Sequence, residues 1–301
     1  MSHGLGVLKR DGLSAQEERI RDLRAYLEVL PASARFTHLT GAEILGWQLP
    51  KLPEQVPVFV AVDRGDPRPR RHGLICSRLP GAAKKRKRRG LPVDEPEEIL
   101  LRCARDLSLI DLLILLESAL GHGDVDPQKM EELLGSRRPG VRMLREAWGR
   151  ATGKSESPGE TVLQQFHRVM DVPFEPQADL YDERGNYLGC ADLRVVGTSY
   201  LHEYDGEYHR SAGQQKTDLR RSRGLSGTDY VRKGFVLDDL LNRAAVVMHE
   251  IDRALERPHD PRRLRRWRAL VDNSLYSSTG RERILNRWRR QHGLHDWTAT
   301  A

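Results

Sequence analysis

Residues 187–209 have the sequence YLGCADLRVVGTSYLHEYDGEYH, in which acidic side chains interrupt two apolar, strand-like stretches. Glu203 and Asp205 are two residues apart, so a strand would place both on the same face. If the preceding strand brings Asp192 opposite them, three carboxylates meet at one edge of a sheet. Their repulsion favours a shared cation, and oxygen-only ligands suit Mg²⁺ or Mn²⁺. The stretch therefore predicts a metal site of the kind that hydrolyses phosphodiester bonds.

The elements around this stretch alternate between helices and strands. Residues 182–186, Asp-Glu-Arg-Gly-Asn, are typical of a turn and predict a hairpin between the flanking strands. The order helix, three strands, helix, strand, helix predicts an α/β fold with a mixed sheet. The predicted helices cover 160–170, 212–224 and 238–255, and the predicted strands cover 177–181, 187–196, 198–204 and 229–232.

The N-terminal half has a different, mainly helical pattern. Residues 56–62 and 73–79 are expected to form strands, with a turn at 64–71 between them. Residues 149–159 are rich in Gly and Ser, which is typical of a linker. Apolar periodicity predicts helices over 16–30, 94–107, 108–120, 130–134 and 141–148, and one more capped by Thr40.

These patterns predict three parts of the chain. The first, 1–150, is a mainly helical α+β domain. The second, 157–257, contains the α/β pattern, and the third, 258–301, is an arginine-rich helical extension. In the extension, Leu264, Trp267 and Leu270 recur every third residue, which predicts a helix docked by its apolar stripe with the arginines outward.

The positive charge of the chain is concentrated in two segments. Fifty lysines and arginines oppose 43 acidic residues among 301, a net charge of +7. Residues 84–89 are all basic and 261–290 contain ten arginines, so the remainder is net acidic. Such clusters are typical of phosphate contacts in DNA-binding proteins, although a solvated loop tip explains 84–89 equally well. The candidate nucleic-acid-binding residues are Lys84, Lys85, Arg86, Lys87, Arg88, Arg89, Arg262, Arg263, Arg265 and Arg266.

Cysteine usage and hydropathy limit the class of protein. Three cysteines, Cys76, Cys103 and Cys190, are far apart and odd in number, so they predict neither a disulfide framework nor a zinc knuckle. The most apolar stretch, 109–116, is much shorter than a membrane helix. Residues 1–10 lack the apolar core of a signal peptide. We therefore expect a soluble cytoplasmic protein with no membrane partner.

Several spaced motifs lie in the α/β region. They are Ser157-x-x-Glu160, Pro176-Gln177, Gly189-x-x-Asp192, Glu203-x-Asp205-Gly206-x-x-His209 and Asp218-x-x-Arg221. Together these residues resemble the Vsr-like endonuclease domains of the PD-(D/E)XK class. The resemblance covers residues 157–257 and implies a restriction-endonuclease-like mixed-sheet core that cleaves DNA with Mg²⁺ or Mn²⁺.

The resemblance also implies residue roles. Asp192 and Glu203 would hold the metal, Glu160 would be the acidic residue of the first helix, and Gln177 would support the site. Asp205 occupies the position of the usual catalytic lysine, so the charge-stabilising role is unassigned. The substitutes to consider are His209, Lys216 and Arg221, with His209 first because it follows the turn at the strand end. The candidate catalytic residues are Glu160, Asp192, Glu203, Asp205 and His209, and the supporting residues are Gln177, Lys216, Asp218 and Arg221.

The N-terminal region has a second resemblance. Residues 36–46, the strand at 56–62 and residues 90–98 are similar to AbiEi-like antitoxin or regulator proteins. The similarity implies a DNA-associated regulatory domain, winged-helix-like in architecture.

Two functions therefore remain open. One is a divalent-metal-dependent DNA endonuclease, and the other is a DNA-binding transcriptional regulator or type IV antitoxin-like protein that retains a nuclease-like scaffold. Residues 158–260 contain 13 basic and 18 acidic residues. A net acidic segment is expected around metal-binding carboxylates, whereas a pure binding module would carry its own positive face, so the enzyme is favoured. The oligomeric state is left open, since a double-strand cut would need a dimer or two successive cuts.

Overall fold

The computed structural model describes residues 12–79, 86–206 and 227–292. The chain divides into two compact units: unit 1 comprises 1–150 and 274–301, and unit 2 comprises 151–273. The segment 258–301, predicted as one extension, is therefore divided between the two units. Both units combine helices with a mixed sheet, so the predicted α/β class is confirmed.

The described residues contain eleven helices and nine strands. The helices are α1 (Ala15–Leu27), α2 (His38–Leu45), α3 (Pro96–Cys103), α4 (Leu109–Gly121), α5 (Pro127–Leu134), α6 (Val141–Trp148), α7 (Pro158–Val169), α8 (Leu237–Leu241), α9 (Ala244–Ala254), α10 (Pro261–Asp272) and α11 (Ser278–His292). The strands are β1 (Arg35–Phe36), β2 (Val58–Val62), β3 (Leu74–Arg78), β4 (Arg86–Arg88), β5 (Leu91–Val93), β6 (Phe174–Tyr181), β7 (Tyr187–Val195), β8 (Tyr200–Tyr204) and β9 (Val231–Phe235).

Unit 1 is built on a five-stranded sheet in the order β3-β2-β1-β5-β4. The two strands expected at 56–62 and 73–79 are present, but they run parallel to each other. The connection between them, 63–73, therefore returns the chain to the starting end of the sheet instead of turning tightly between antiparallel strands. Thr40 does not cap a helix. It lies inside α2, which begins at His38 after Thr37.

The helix α4 forms the centre of unit 1, and its residues from Leu109 to Ala119 are buried. Its N-cap residue is Ser108, whose hydroxyl accepts a hydrogen bond from the Asp111 backbone N–H. α11 packs in the same unit through Trp288, which is buried and donates its Nε1–H to Asp106 across 3.3 Å.

Unit 2 contains a four-stranded sheet in the order β6-β7-β8-β9. β6 and β7 form the expected hairpin, β7 and β8 are antiparallel, and β8 and β9 are parallel. α7 packs on β8 through a buried histidine pair, in which Nε2 of His167 lies 2.7 Å from Nδ1 of His202. Burial lowers the pKa of His167 to about 4, so this histidine is neutral near pH 7.

The C-terminal part of unit 2 departs from the expected helix over 238–255. Two helices, α8 and α9, replace it, because Arg243 has a non-helical backbone and the Asn242 side chain bonds back to Asp238. The helix expected at 212–224 lies outside the described residues. In the described parts of the chain, no helix is long and apolar enough to cross a membrane. The cysteines Cys76, Cys103 and Cys190 are free thiols.

Candidate functional site

The first turn of α7 fixes the carboxylate of Glu160. Ser157 caps the helix by accepting a hydrogen bond from the Glu160 N–H, and its hydroxyl donates to Oε1 of Glu160 across 2.8 Å. The backbone N–H of Glu156 donates to Oε2 across 2.7 Å. Negative charge is favoured at this end of a helix. The motif Ser157-x-x-Glu160 is thus a helix cap that also orients an acidic side chain.

Gln177 of β6 contacts the same carboxylate. Its Nε2 donates to Oε2 of Glu160 across 3.2 Å, and its Oε1 lies 3.2 Å from the Cys190 thiol, which donates to it. The backbone φ of Gln177 is +48°, a conformation that non-glycine residues rarely adopt. The strand therefore carries local strain at this point, which is typical of functional positions.

Asp192 of β7 completes this group. Its Oδ2 accepts a hydrogen bond of 2.8 Å from the backbone N–H of Tyr204 at the end of β8. Burial, and after it the charge of Asp192, raises the pKa of Glu160 to about 7. Glu160, Gln177 and Asp192 are therefore brought together from a helix and two neighbouring strands, and we call these three residues the acidic centre.

Glu203 is held by a partner that the sequence did not indicate. Its side chain is 5% exposed, and its Oε2 accepts a hydrogen bond from Nε of Arg232 in β9. The parallel register pairs Leu201 with Arg232 and Glu203 with Gly234, which brings the guanidinium beside the carboxylate. No motif spacing predicts this pair, because the register depends on a crossover between β8 and β9.

Asp205 lies against the same neighbouring strand. Its backbone N–H donates to the Phe235 carbonyl across 2.8 Å, which continues the β8–β9 ladder. The Asp205 carboxylate lies so close to Gly234 that a Cβ atom there would overlap Oδ2 and displace the carboxylate. A similar close approach occurs at Gly159 in α7, where a Cβ atom would overlap the ring of Tyr204.

The structure corrects one expectation about the carboxylates. Among the described residues, no group of three or more His, Cys, Asp or Glu side chains is placed to hold a metal ion. The antiparallel register pairs Leu193 with His202, so Asp192 and Glu203, the next pair in this register, are neighbours across β7 and β8. These two carboxylates nevertheless do not form a metal-binding group together with Asp205. Each has a different neighbour: Asp192 accepts a hydrogen bond from the Tyr204 N–H, Glu203 accepts one from Arg232, and Asp205 lies beside Gly234.

The acidic centre nevertheless fits a hard divalent cation. Mg²⁺ commonly binds through one or two carboxylates and keeps several waters. Glu160 and Asp192 supply two carboxylates, and the pKa of Glu160 is raised first by burial and then by the charge of Asp192, a repulsion that a cation would relieve. Glu203 is less suited, because Arg232 already compensates its charge.

Six of the candidate residues cannot be placed. His209, Lys216, Asp218 and Arg221 lie in 207–226, and Lys84 and Lys85 lie in 80–85, both outside the described parts of the chain.

The basic run of unit 1 continues into an exposed edge strand. Arg86, Lys87 and Arg88 form β4, the last strand of the sheet, and all three are exposed. Arg89 and Gly90 both have positive φ and form the turn to β5. The Arg89 carbonyl accepts a hydrogen bond from Arg24 across 3.4 Å. Three cations are therefore presented to solvent on one short strand.

The arginines of α10 have different environments. Arg262 and Arg265 are exposed, whereas Arg266 donates to the Asp171 carboxylate across 2.8 Å. Arg263 is 4% exposed and binds Asp252 through both terminal nitrogens, at 2.9 and 3.0 Å. The expectation that Arg263 contacts phosphate is therefore wrong, because its guanidinium is buried in a structural ion pair. The helix docks through Trp267, which is fully buried.

Comparison with known proteins gives no match: no family model, no curated protein and no solved structure is significantly similar to this chain. The resemblance to Vsr-like endonuclease domains therefore stays a prediction from the motif residues.

Proposed function

We propose that this protein is a divalent-metal-dependent endonuclease that hydrolyses DNA phosphodiester bonds. The observation that carries the proposal is the acidic centre, in which Gln177 and Ser157 hold the Glu160 carboxyl while burial, and after it the charge of Asp192, raises its pKa to about 7. Paired, partly buried carboxylates with a raised pKa are typical of functional sites rather than of solvated strand faces.

Asp192 remains the central metal ligand in this proposal, and Glu160 rather than Glu203 is its partner. Bound there, Mg²⁺ or Mn²⁺ would lower the pKa of a coordinated water and neutralise charge on the phosphate. The chain's own residues orient the site: Ser157 and Gln177 fix Glu160, and the Tyr204 N–H fixes Asp192.

The topology of unit 2 supports the proposal. A helix is followed by a hairpin, a third antiparallel strand and a fourth, parallel strand, in the order β6-β7-β8-β9. This is the order expected of a PD-(D/E)XK core. The resemblance implies carboxylates on the second and third strands and on the preceding helix, and Asp192, Glu203 and Glu160 lie on β7, β8 and α7 respectively.

Exposed cations support DNA as the substrate. β4 presents Arg86, Lys87 and Arg88, and α10 presents Arg262 and Arg265. Such side chains bind the phosphate backbone without reading its sequence. The exposed cations of β4 would also be expected in a DNA-binding regulator. The two proposed functions therefore differ in whether unit 2 cleaves DNA.

Cleavage of supercoiled plasmid in Mg²⁺ or Mn²⁺ tests the proposal. We expect the wild type to nick or linearise the plasmid, and Asp192→Asn and Glu160→Gln to lose this activity while still shifting DNA in a gel. Glu175→Gln, an exposed carboxylate on the same sheet, is the matched control and should cleave normally. Cleavage that persists equally in all variants would reject Asp192 and Glu160 as the catalytic site. Absence of cleavage by the wild type would reject the nuclease and favour the regulator.

A further inference from the structure

The position of the usual nuclease lysine is occupied by Asp205, so a positive charge beside the scissile phosphate must come from elsewhere. β9 places a cation next to the acidic residues of β8. Glu203 of β8 accepts a hydrogen bond from Arg232 of β9, and Asp205 of β8 closely approaches Gly234 of β9. These four residues therefore lie on the same face of the two paired strands.

The contacts of Arg232 leave most of its hydrogen-bonding capacity available. Its Nε donates to Glu203, and within the described residues neither terminal nitrogen has a hydrogen-bond partner. The side chain is 31% exposed, although its partner is 5% exposed. A guanidinium has five N–H donors in a fixed plane. Four of them therefore remain for an anion that approaches from solvent.

Arg263, in the same unit, is an arginine with a structural role and can be compared with Arg232. Both of its terminal nitrogens bind Asp252, and the pair is 4% exposed on each side. Arg232 differs in both respects, since it is anchored by Nε and its side chain is 31% exposed. Glu203 thus orients the guanidinium without occupying the edge that suits bidentate binding of a phosphate.

We propose that Arg232 is the catalytic cation of the site, and that its terminal nitrogens bind the non-bridging oxygens of the scissile phosphodiester. This assignment rests on the proposed nuclease function. In the hydrolysis, a water oxygen forms a bond to phosphorus and loses a proton, while one sugar P–O bond breaks and its oxygen takes up a proton. Arg232 stays protonated throughout and stabilises the negative charge that accumulates on the phosphoryl oxygens.

The test compares Arg232→Gln and Arg232→Lys with Arg194→Gln. Arg194 is the matched control, because it is exposed on the same sheet and pairs with the exposed Glu175. We expect Arg232→Gln to lower the single-turnover cleavage rate at saturating DNA by about 100-fold. Arg232→Lys should recover part of that loss, and Arg194→Gln should stay within about twofold of the wild type.

A binding measurement separates this assignment from the nuclease function itself. The affinity for a short duplex, measured without divalent metal at several salt concentrations, should have a salt slope smaller by about one for Arg232→Gln. If Arg232→Gln has a smaller salt slope than the wild type but the wild type never cleaves DNA, the nuclease function is rejected while the contact between Arg232 and phosphate is supported. An unchanged slope, or cleavage by Arg232→Gln as fast as by Arg194→Gln, would overturn the assignment of Arg232.

Discussion

Nε2 of Gln177 donates a hydrogen bond of 3.2 Å to Oε2 of Glu160, a carboxyl group whose pKa is raised to about 7. The amide and the carboxyl belong to different elements, β6 and α7, and the charge of Asp192 on β7 acts on the same group. The site is therefore an assembly of three elements, and its electrostatics can be tested one residue at a time.

Asp192→Asn should lower the pKa of Glu160. Removing the nearby negative charge makes ionisation of Glu160 easier, while burial keeps its pKa above the ordinary glutamate value of 4.5. The measurement is the pH titration of the Glu160 carboxyl carbon by NMR in metal-free protein. Glu175→Gln serves as control and should leave the midpoint near 7. A midpoint that is the same in Asp192→Asn as in the wild type would show that the two carboxylates do not interact.

Asp111→Asn should stabilise unit 1 increasingly as the pH rises. Burial raises the pKa of Asp111 to about 6 from 3.8, against hydrogen bonds from Ser108 and Leu275. Because this folded-state pKa is raised, wild-type stability is fully present below pH 3.8 and is lost as the pH passes through 6. We expect the variant to gain up to about 3 kcal/mol relative to the wild type between pH 4 and pH 8.

Hydrogen exchange of the α4 amides measures this gain within unit 1. A difference between variant and wild type that does not change with pH would contradict the raised pKa of Asp111.

Arg263→Ala should destabilise unit 2 by about 3 kcal/mol, because it leaves the buried Asp252 carboxylate with fewer partners. Arg265→Ala, an exposed neighbour on the same helix, should change the free energy of unfolding by less than about 0.5 kcal/mol. Urea unfolding of both variants measures the difference. Equal losses of unfolding free energy in the two variants would contradict the structural role of Arg263.

Gly159→Ala should destabilise unit 2 by about 1–3 kcal/mol, because the added methyl group overlaps the Tyr204 ring. Gly227→Ala, where a Cβ atom meets nothing within 4 Å, is the matched control and should have little effect. In a Tyr204→Ala background the cost of Gly159→Ala should largely disappear. If Gly159→Ala is equally destabilising in the Tyr204→Ala background, the destabilisation comes from the helix backbone and not from overlap with the Tyr204 ring.

The elements that sequence alone predicts well are the local ones. α7, the β6–β7 hairpin and β8 were expected within a few residues, because capping, turn chemistry and alternation act over short distances. Asp192 was a candidate from the strand pattern itself, whereas the role of Glu160 was implied by the resemblance to Vsr-like endonuclease domains.

The relationships that sequence did not predict depend on tertiary register. The Arg232–Glu203 pair requires the parallel alignment of β8 with β9. Arg263 was grouped with exposed arginines because an amphipathic pattern separates apolar from polar positions, but does not show that Asp252 lies beneath one of the cations. The parallel pairing of β2 with β3 likewise depends on the path of a long connection.

The central claim is that Glu160 and Asp192 form the cation-binding pair of a nuclease. Anomalous diffraction from crystals soaked in Mn²⁺ tests it most directly, since it locates the ion without requiring activity. We expect one peak between the two carboxylates in the wild type and none in Asp192→Asn. A peak located elsewhere, or one that is undiminished in Asp192→Asn, would contradict the assignment.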